Sequence, residues 1–262
     1  MPVISISNHK GGVGKSTTTV NLAHALALLD KKVLVIDMDP QANTSYMLGT
    51  VPPQDQPHGV SDLLKESSRN FSNTLVETHV QNVSLIPATL EMFSLECSLP
   101  DALRLMGLRS KFDEDAKKAF DFIICDTPPS LGPFQSNALT LADFFIVPIQ
   151  ASSYHALVGL EILLSATEVI QDYANKRLQL LRILITMFDA RTSISKAMTE
   201  SIQEKFQNQV FTTIINQNTI IANAALANKT IFQQDDKATG SRDYLALAKE
   251  ILMILEEDKD GK

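Results

Sequence analysis

The chain has 262 residues, a formal net charge of −7 and 44% hydrophobic residues, which suits a folded globular protein able to enclose a core. That balance excludes a protein coated in positive charge for nucleic acid, though not a local basic patch. No run approaches the roughly 18 uninterrupted apolar residues of a spanning helix, and Cys97 and Cys125 lack metal-ligand spacing. Both cysteines are expected as reduced core residues of a cytoplasmic protein.

In chain order, the first candidate strand is "VISIS" at 3–7, and the start "MPVISISNHKGG" has neither the basic opening nor the cleavage site of a secretory signal. It runs into a glycine-rich turn and then "STTTVNLAHALALL", which has helical spacing. A second strand, "KVLVID" at 32–37, ends in "VIDMDPQAN". Residues 50–80 are rich in Pro, Gly, Ser and Asn and read as a surface excursion with one short helix. Further strands are predicted at 83–88, 120–126, 144–149 and 180–186. Between them "LPDALRLMGLRSKF", "NALTLA" and "GLEILLSATEVIQDYA" carry apolar residues at helical spacing.

Most of these strands are continuous apolar runs, as in a parallel sheet covered on both faces. Strand–helix alternation then implies a doubly wound, mostly parallel α/β sheet that takes ligands at the carboxyl ends of its strands. The last helix, "RDYLALAKEILMILEE", is amphipathic and leads into the acidic "EEDKDGK". A membrane-surface helix would carry Lys and Arg on its polar face, so this one is expected to pack on the domain. We read 1–262 as a single domain.

The turn after the first strand carries most of a phosphate-binding loop. Gly14-Lys15-Ser16 supplies the second half of G-x-x-x-x-G-K-[ST], but His9 stands where the first glycine belongs, and Lys10 is an extra cation. Gly11, Gly12 and Gly14 let backbone N–H groups approach phosphate oxygens. Lys15 is expected to reach the β- and γ-phosphates, Ser16 to bind Mg²⁺, and Thr17 to stand at a helix N-terminus that favours anions. Asp126 closes the apolar run of "FDFIICDTPPS". It is either the metal-holding acid of an ATPase or part of a simple Asp-Thr-Pro-Pro turn. Asp37 and Asp39 project to one side of an extended chain, where one could orient water or merely cap an Asp-Pro turn.

Together these motifs resemble the ParA/MinD family of deviant Walker ATPases, most closely its ParA, Soj-like branch. The resemblance runs from "KGGVGKSTTTVNLAHALA" through "KKVLVIDMDPQAN" and "FDFIICDTPPSLG" to "LITMFDART" and "GSRDYLALAKEIL". It implies a P-loop fold of deviant Walker A type and a slow, partner-stimulated Mg-dependent ATPase. It also implies an ATP-sandwich homodimer in which Lys10 touches the phosphates bound by the other subunit. Carried over residue by residue, Gly11, Gly12, Val13, Gly14, Lys15, Ser16 and Thr17 hold ATP with Lys10. Asn218 lies near the adenine, Asp39 orients the water, and Ser16, Asp126 and Asp37 serve the Mg²⁺ site.

The family also implies non-specific DNA binding, nucleoid association, and a ParB-like centromere-binding protein or cargo adaptor as partner. Here the chain departs. Where Soj-type members read Ile-Pro-Arg-Asn-Val-Arg, it has Ile215-Asn216-Gln217-Asn218-Thr219-Ile220. Two arginines of the DNA surface are therefore replaced, which weakens DNA binding or moves it to another patch. Arg191 matches a DNA-binding position, and Lys196, Lys205, Lys229 and Arg242 are basic neighbours in sequence.

A variant reading is an orphan ParA that positions a protein cargo such as a chemotaxis array or microcompartment. The acidic tail opposes a MinD-like membrane switch. The cysteine placement opposes an iron–sulfur carrier, and a small-molecule kinase would leave Lys10 unexplained.

Overall fold

The computed structural model describes residues 1–65, 71–112, 118–152 and 156–260. Among these residues seven strands form one sheet: β1 (Val3–Ile6), β2 (Val33–Asp37), β3 (Val76–Glu77), β4 (Val83–Ile86), β5 (Phe122–Asp126), β6 (Phe144–Gln150) and β7 (Gln179–Thr186). Their spatial order is β3-β4-β2-β5-β1-β6-β7. Every pairing is parallel except that of β3 with β4.

The helices are α1 (Lys15–Leu28), α2 (Asn43–Leu48), α3 (Val60–Lys65), α4 (Met92–Ser98), α5 (Asp101–Met106) and α6 (Pro133–Leu141). After them come α7 (Ala156–Tyr173), α8 (Ser193–Phe206), α9 (Thr219–Leu226), α10 (Ile231–Gln234) and α11 (Thr239–Asp260). This is a doubly wound α/β fold, as the alternation of apolar runs and helical stretches predicts.

The sheet separates two cores because successive strand residues point to opposite faces. On β2, Leu34 and Ile36 join the cluster that includes Ile123, Phe134 and Leu163. Val33 and Val35 join the other cluster, with Ile124, Leu22 and Tyr244. Helix α1 is enclosed between the sheet and α11, so Val20, Leu22, Ala23, Ala25 and Leu26 are all buried. That explains why α1 lacks a strong apolar stripe: it has little solvent face to mark. The final helix packs through Tyr244, Leu247, Ala248 and Ile251. The last two residues of the acidic tail lie outside the described residues.

Several expectations need correction. The stretch 50–80 is more than a surface excursion: Val60, Leu63, Leu64 and Phe71 enter the first core, and Val76–Glu77 adds the antiparallel edge strand. Residues 66–70 of that stretch lie outside the described residues. The single helix read over 99–112 is two pieces, α5 and a 3₁₀ turn at Arg109–Lys111. Cys125 is buried, but Cys97 is exposed, since α4 turns Met92 and Leu95 inward instead.

Candidate functional site

The carboxyl ends of β1, β2 and β5 meet at one level, with Ile6 and Asp37 both in register with Asp126. Sequence order therefore matters less than register in bringing the acids together. The loop from Ser7 to Gly14 leaves β1 at this crevice and delivers the chain to α1.

Two loop glycines adopt left-handed backbone, Gly12 at φ 73° and Gly14 at φ 89°, conformations that side chains rarely accept. Gly14 is also the N-cap of α1 and provides no capping side chain, so the first N–H groups of the helix remain available to an anion. Asn8 Nδ2 donates to Pro148 O on β6 (2.7 Å), while Asn8 Oδ1 accepts from Lys10 N (3.0 Å). At the far side, Thr186 Oγ1 donates to Val13 O (3.0 Å), tying the loop to the end of β7.

Lys15 is 7% exposed, and its Nζ donates to Lys10 O at 3.1 Å. Burial lowers its pKa, while Asp126 and Asp39 oppose that shift. Asp39 borders the cleft, and its Oδ1 accepts from Gln41 N (2.9 Å). Its pKa is raised by burial, against the pull of the Gln41 N–H and Lys15.

Asp37 lies fully buried behind it. Its Oδ2 accepts from Ser45 N (2.8 Å) and Ser45 Oγ (2.6 Å), and its Oδ1 accepts from Asp39 N (3.1 Å). Burial and then Asp126 push the Asp37 pKa upward.

Asp126 is also fully buried, and burial raises its pKa to about 6 despite the hydroxyls of Ser16 and Thr44. Thr44 Oγ1 donates to Oδ2 at 2.7 Å, whereas Oδ1 is buried without a hydrogen bond of good geometry. Thr44 and Ser45 join this candidate site, and the sequence reading missed them. Both follow the turn at Ala42, whose φ is 58°, and sit on the short α2.

Beside these groups is a cleft of about 510 Å³ lined by Gly11, Gly12, Gly14, Lys15, Ser16, Thr17 and Asp39, together with Asn43, Tyr46, Pro129 and Asn228. A Cβ on Gly11 or Gly12 would meet nothing within 4 Å, so these two glycines face open space rather than packed chain.

A magnesium ion fits this donor set. Asp126 presents an unmet buried oxygen beside the Ser16 hydroxyl, and hard cations favour such oxygens. Among the described residues no group of three acidic, histidine or cysteine side chains could hold a metal alone. The ion would therefore draw on phosphate oxygens and water, as Mg²⁺ commonly does.

The other predicted residues are dispersed. Asn218 is the N-cap of α9, its Oδ1 accepting from Ile220 N (2.8 Å), while Ala225 and Asn228 at the other end of that helix line the cleft. Asn216, standing where the family pattern has proline, uses its N–H and its Nδ2 to bind Asp243 Oδ2 on α11 (2.9 and 3.0 Å). A proline could make neither bond. Arg191 is 87% exposed and forms a two-pronged pair with Asp189 (2.9 Å each), which holds the Asp189 pKa down at about 2. Lys196 lies exposed in the first turn of α8, Lys229 exposed between α9 and α10, and Arg242 exposed near the start of α11. No described helix is long and apolar enough to cross a membrane.

A family model described as AAA domain matches residues 1–180. The chain is 38% identical over 250 residues to the sporulation initiation inhibitor protein Soj of Bacillus subtilis, covering 95% of this chain and 97% of that one. It is 36% identical over 251 residues to the chromosome partitioning protein ParA of Myxococcus xanthus, covering 95% and 87%. Among solved structures, cobyrinic acid a,c-diamide synthase from Mycobacterium smegmatis with bound ATP analog and magnesium has a TM-score of 0.82 at 28% identity. That match covers 100% of this chain and 97% of that chain.

Proposed function

Because the chain belongs to the ParA/MinD family of ATPases, on its Soj-like branch, we propose that it is a partition-type ATPase. In this reading it dimerises on ATP, holds DNA without sequence preference in that state, and is released when a partner stimulates hydrolysis. Residues 1–262 act as one ATPase domain in the cytoplasm, associated with the nucleoid when dimeric.

The observation that carries the reading is the pair of lysines at one turn, Lys10 in the loop and Lys15 at the first position of α1. Lys15 already lies inside the cleft against Asp39 and Asp126. Lys10 is half-buried and is not required by the minimal phosphate-loop pattern. A second cation makes sense where two triphosphates face each other across a dimer.

In the proposed mechanism, amides of the loop and the start of α1 hold the phosphates, and Lys15 neutralises the β- and γ-oxygens. Ser16 and Asp126 would hold magnesium, with Asp37 behind them. Magnesium, when bound, would draw charge from the phosphoryl oxygens. Asp39 orients a water in line with the γ-phosphorus. The water oxygen bonds to phosphorus as the bond to the ADP oxygen breaks, and the water's proton passes to the phosphate formed. Loss of the γ-phosphate removes what Lys10 of each subunit grips, so the dimer loosens. A ParB-like protein or a cargo adaptor with a basic segment would complement the acidic chain and trigger this step.

Gln217 and Ile220 in place of arginines, and Arg191 matched by Asp189, favour a second reading in which DNA contact is weak and the cargo is a protein assembly. Sedimentation with ADP, ATP, and ATP plus random-sequence duplex across a salt series separates these readings. Partition predicts an ATP-dependent dimer whose DNA affinity falls steeply with salt. A dimer that ignores DNA favours the protein-cargo reading, and a chain that stays monomeric in ATP overturns both.

A further inference from the structure

Helix α7 carries a glycine, Gly159, on its inner face, in line with the buried Leu160 and Leu163. Glycine inside a helix sacrifices stability relative to alanine, so a buried one implies a neighbour that leaves no room for a methyl group. That neighbour is His9. A Cβ built on Gly159 would overlap Cε1 of the imidazole and fall 3.0 Å from Nδ1 and 3.2 Å from Nε2.

The ring is seated by shape. Its Nδ1 is buried and makes no hydrogen bond, so the contact with α7 does not depend on a polar partner at that atom. His9 is also the residue that displaces the first glycine of the phosphate-loop pattern. A glycine there could not fill the seat that Gly159 opens.

The next residue is Lys10, and its backbone is held on both sides. Its N–H donates to Asn8 Oδ1, whose amide is in turn fixed to Pro148 O on β6. Its carbonyl accepts from Lys15 Nζ. Asn8 fixes the peptide before Lys10, Lys15 the peptide after it, and the imidazole anchors the residue at which the chain enters this segment. We propose that the His9–Gly159 seat sets the direction in which Lys10 leaves the loop, so that His9 is a positioning residue for ATP-dependent dimerisation and α7 its support. This role rests on Lys10 being the cation that reaches across the dimer, and it adds a specific means by which α7 is coupled to that lysine.

A double-mutant cycle tests the seat. Gly159→Ala introduces a methyl where the ring sits, His9→Ala removes the ring, and the double variant removes the clash. Dimerisation is read by sedimentation with a non-hydrolysable ATP analogue, and monomer nucleotide binding with fluorescent ADP. Misplacing a group by about an ångström can cost on the order of 100-fold. Gly159→Ala is therefore expected to weaken the dimer by at least ~10-fold while ADP affinity stays within ~2-fold. A merely structural defect would move both affinities together. With the ring gone the added methyl meets nothing it displaces, so the double variant is expected to dimerise as His9→Ala does, less weakened than the two single losses combined.

Lys10→Ala is run beside them. If Lys10→Ala dimerises as the parent does, the reading of Lys10 falls, and the positioning role with it. If Lys10→Ala fails to dimerise while Gly159→Ala dimerises normally, or the cycle is additive, the positioning role alone is overturned. Should Gly159→Ala fold poorly, His9→Ala decides the matter, because it opens space instead of filling it: loss of the dimer with ADP affinity kept supports the seat, and a parental dimer overturns it.

Discussion

The two ends of the sheet make an instructive contrast. At the amino ends of the strands lies the larger depression, a groove of about 980 Å³ bordered by Lys31, Asp121, Asp143, Lys176, Arg177 and Glu256. At the carboxyl ends lies the cleft of about 510 Å³. The larger groove has committed acids and exposed bases. Asp143 accepts from Val3 N (2.9 Å) and Asp121 from Lys32 N (2.8 Å), while Lys176 and Arg177 face solvent and Lys31 does so in part. The smaller cleft has a buried lysine and two glycines at positive φ, with two fully buried carboxylates behind it. Burying charge costs stability unless something compensates it. The smaller end therefore carries the features that only function explains, and volume is a poor guide to where chemistry lies.

The sharpest way to break that contrast is to remove the carboxylate assigned to water. Asp39→Ala should lower ATP hydrolysis by roughly 10²–10⁴-fold, the range for a positioned acid–base group, and leave the ATP dimer intact. The check is phosphate release measured beside sedimentation. Hydrolysis at the parental rate would remove Asp39 from the mechanism. A smaller effect, on stability, is expected at Asp37. Asp37→Ala leaves Ser45 N, Ser45 Oγ and Asp39 N without their acceptor, against which must be set the relief of the repulsion between Asp37 and Asp126. Unsatisfied buried donors cost about 1–3 kcal/mol each, so a net loss of about 2–4 kcal/mol is expected as a lower urea midpoint at unchanged slope. An unchanged midpoint would mean that the buried carboxylate contributes only to the site.

How much of this was legible in the sequence depends on which physical signal each residue leaves. The loop from Gly11 to Ser16 and the strand-end acids were legible because a continuous apolar run, ended by glycine or aspartate, marks both strand and crevice. Thr44 and Ser45 left no such mark. They reach Asp126 and Asp37 only because the chain turns at Ala42 with a left-handed backbone, and a six-residue helix is too short to show a period. One short helix was read in 50–80, but the core burial of Val60, Leu63 and Leu64 was hidden because they are set among Pro, Gly and Ser that read as surface. The His9–Gly159 contact joins residues remote in sequence, and neither residue type announces the other. Asn218 carries two meanings at once, since Asn is a good helix N-cap whatever else it touches.

The smallest expected effect sharpens the comparison from the other side. Lys31, Lys176 and Arg177 line the larger groove, away from the nucleotide cleft, so replacing all three with alanine should leave ATP hydrolysis within ~2-fold of the parent, as surface changes usually do. Their effect on DNA is the more telling readout. If the DNA-binding patch lies near α8, Arg191→Glu should weaken duplex binding and lower its salt slope by about one for each phosphate the protein no longer touches. The groove variant would then bind as the parent does. Arg191 is a demanding probe because its charge is already matched by Asp189, so the pair must open before the guanidinium can bind a phosphate. The reverse result, with the groove variant losing DNA and Arg191→Glu keeping it, would place the nucleic-acid surface at the amino ends of the strands. In that event the chain would hold nucleotide at one end of its sheet and DNA at the other, and the absence of arginine at 217 and 220 would mark a relocated surface instead of a weakened one.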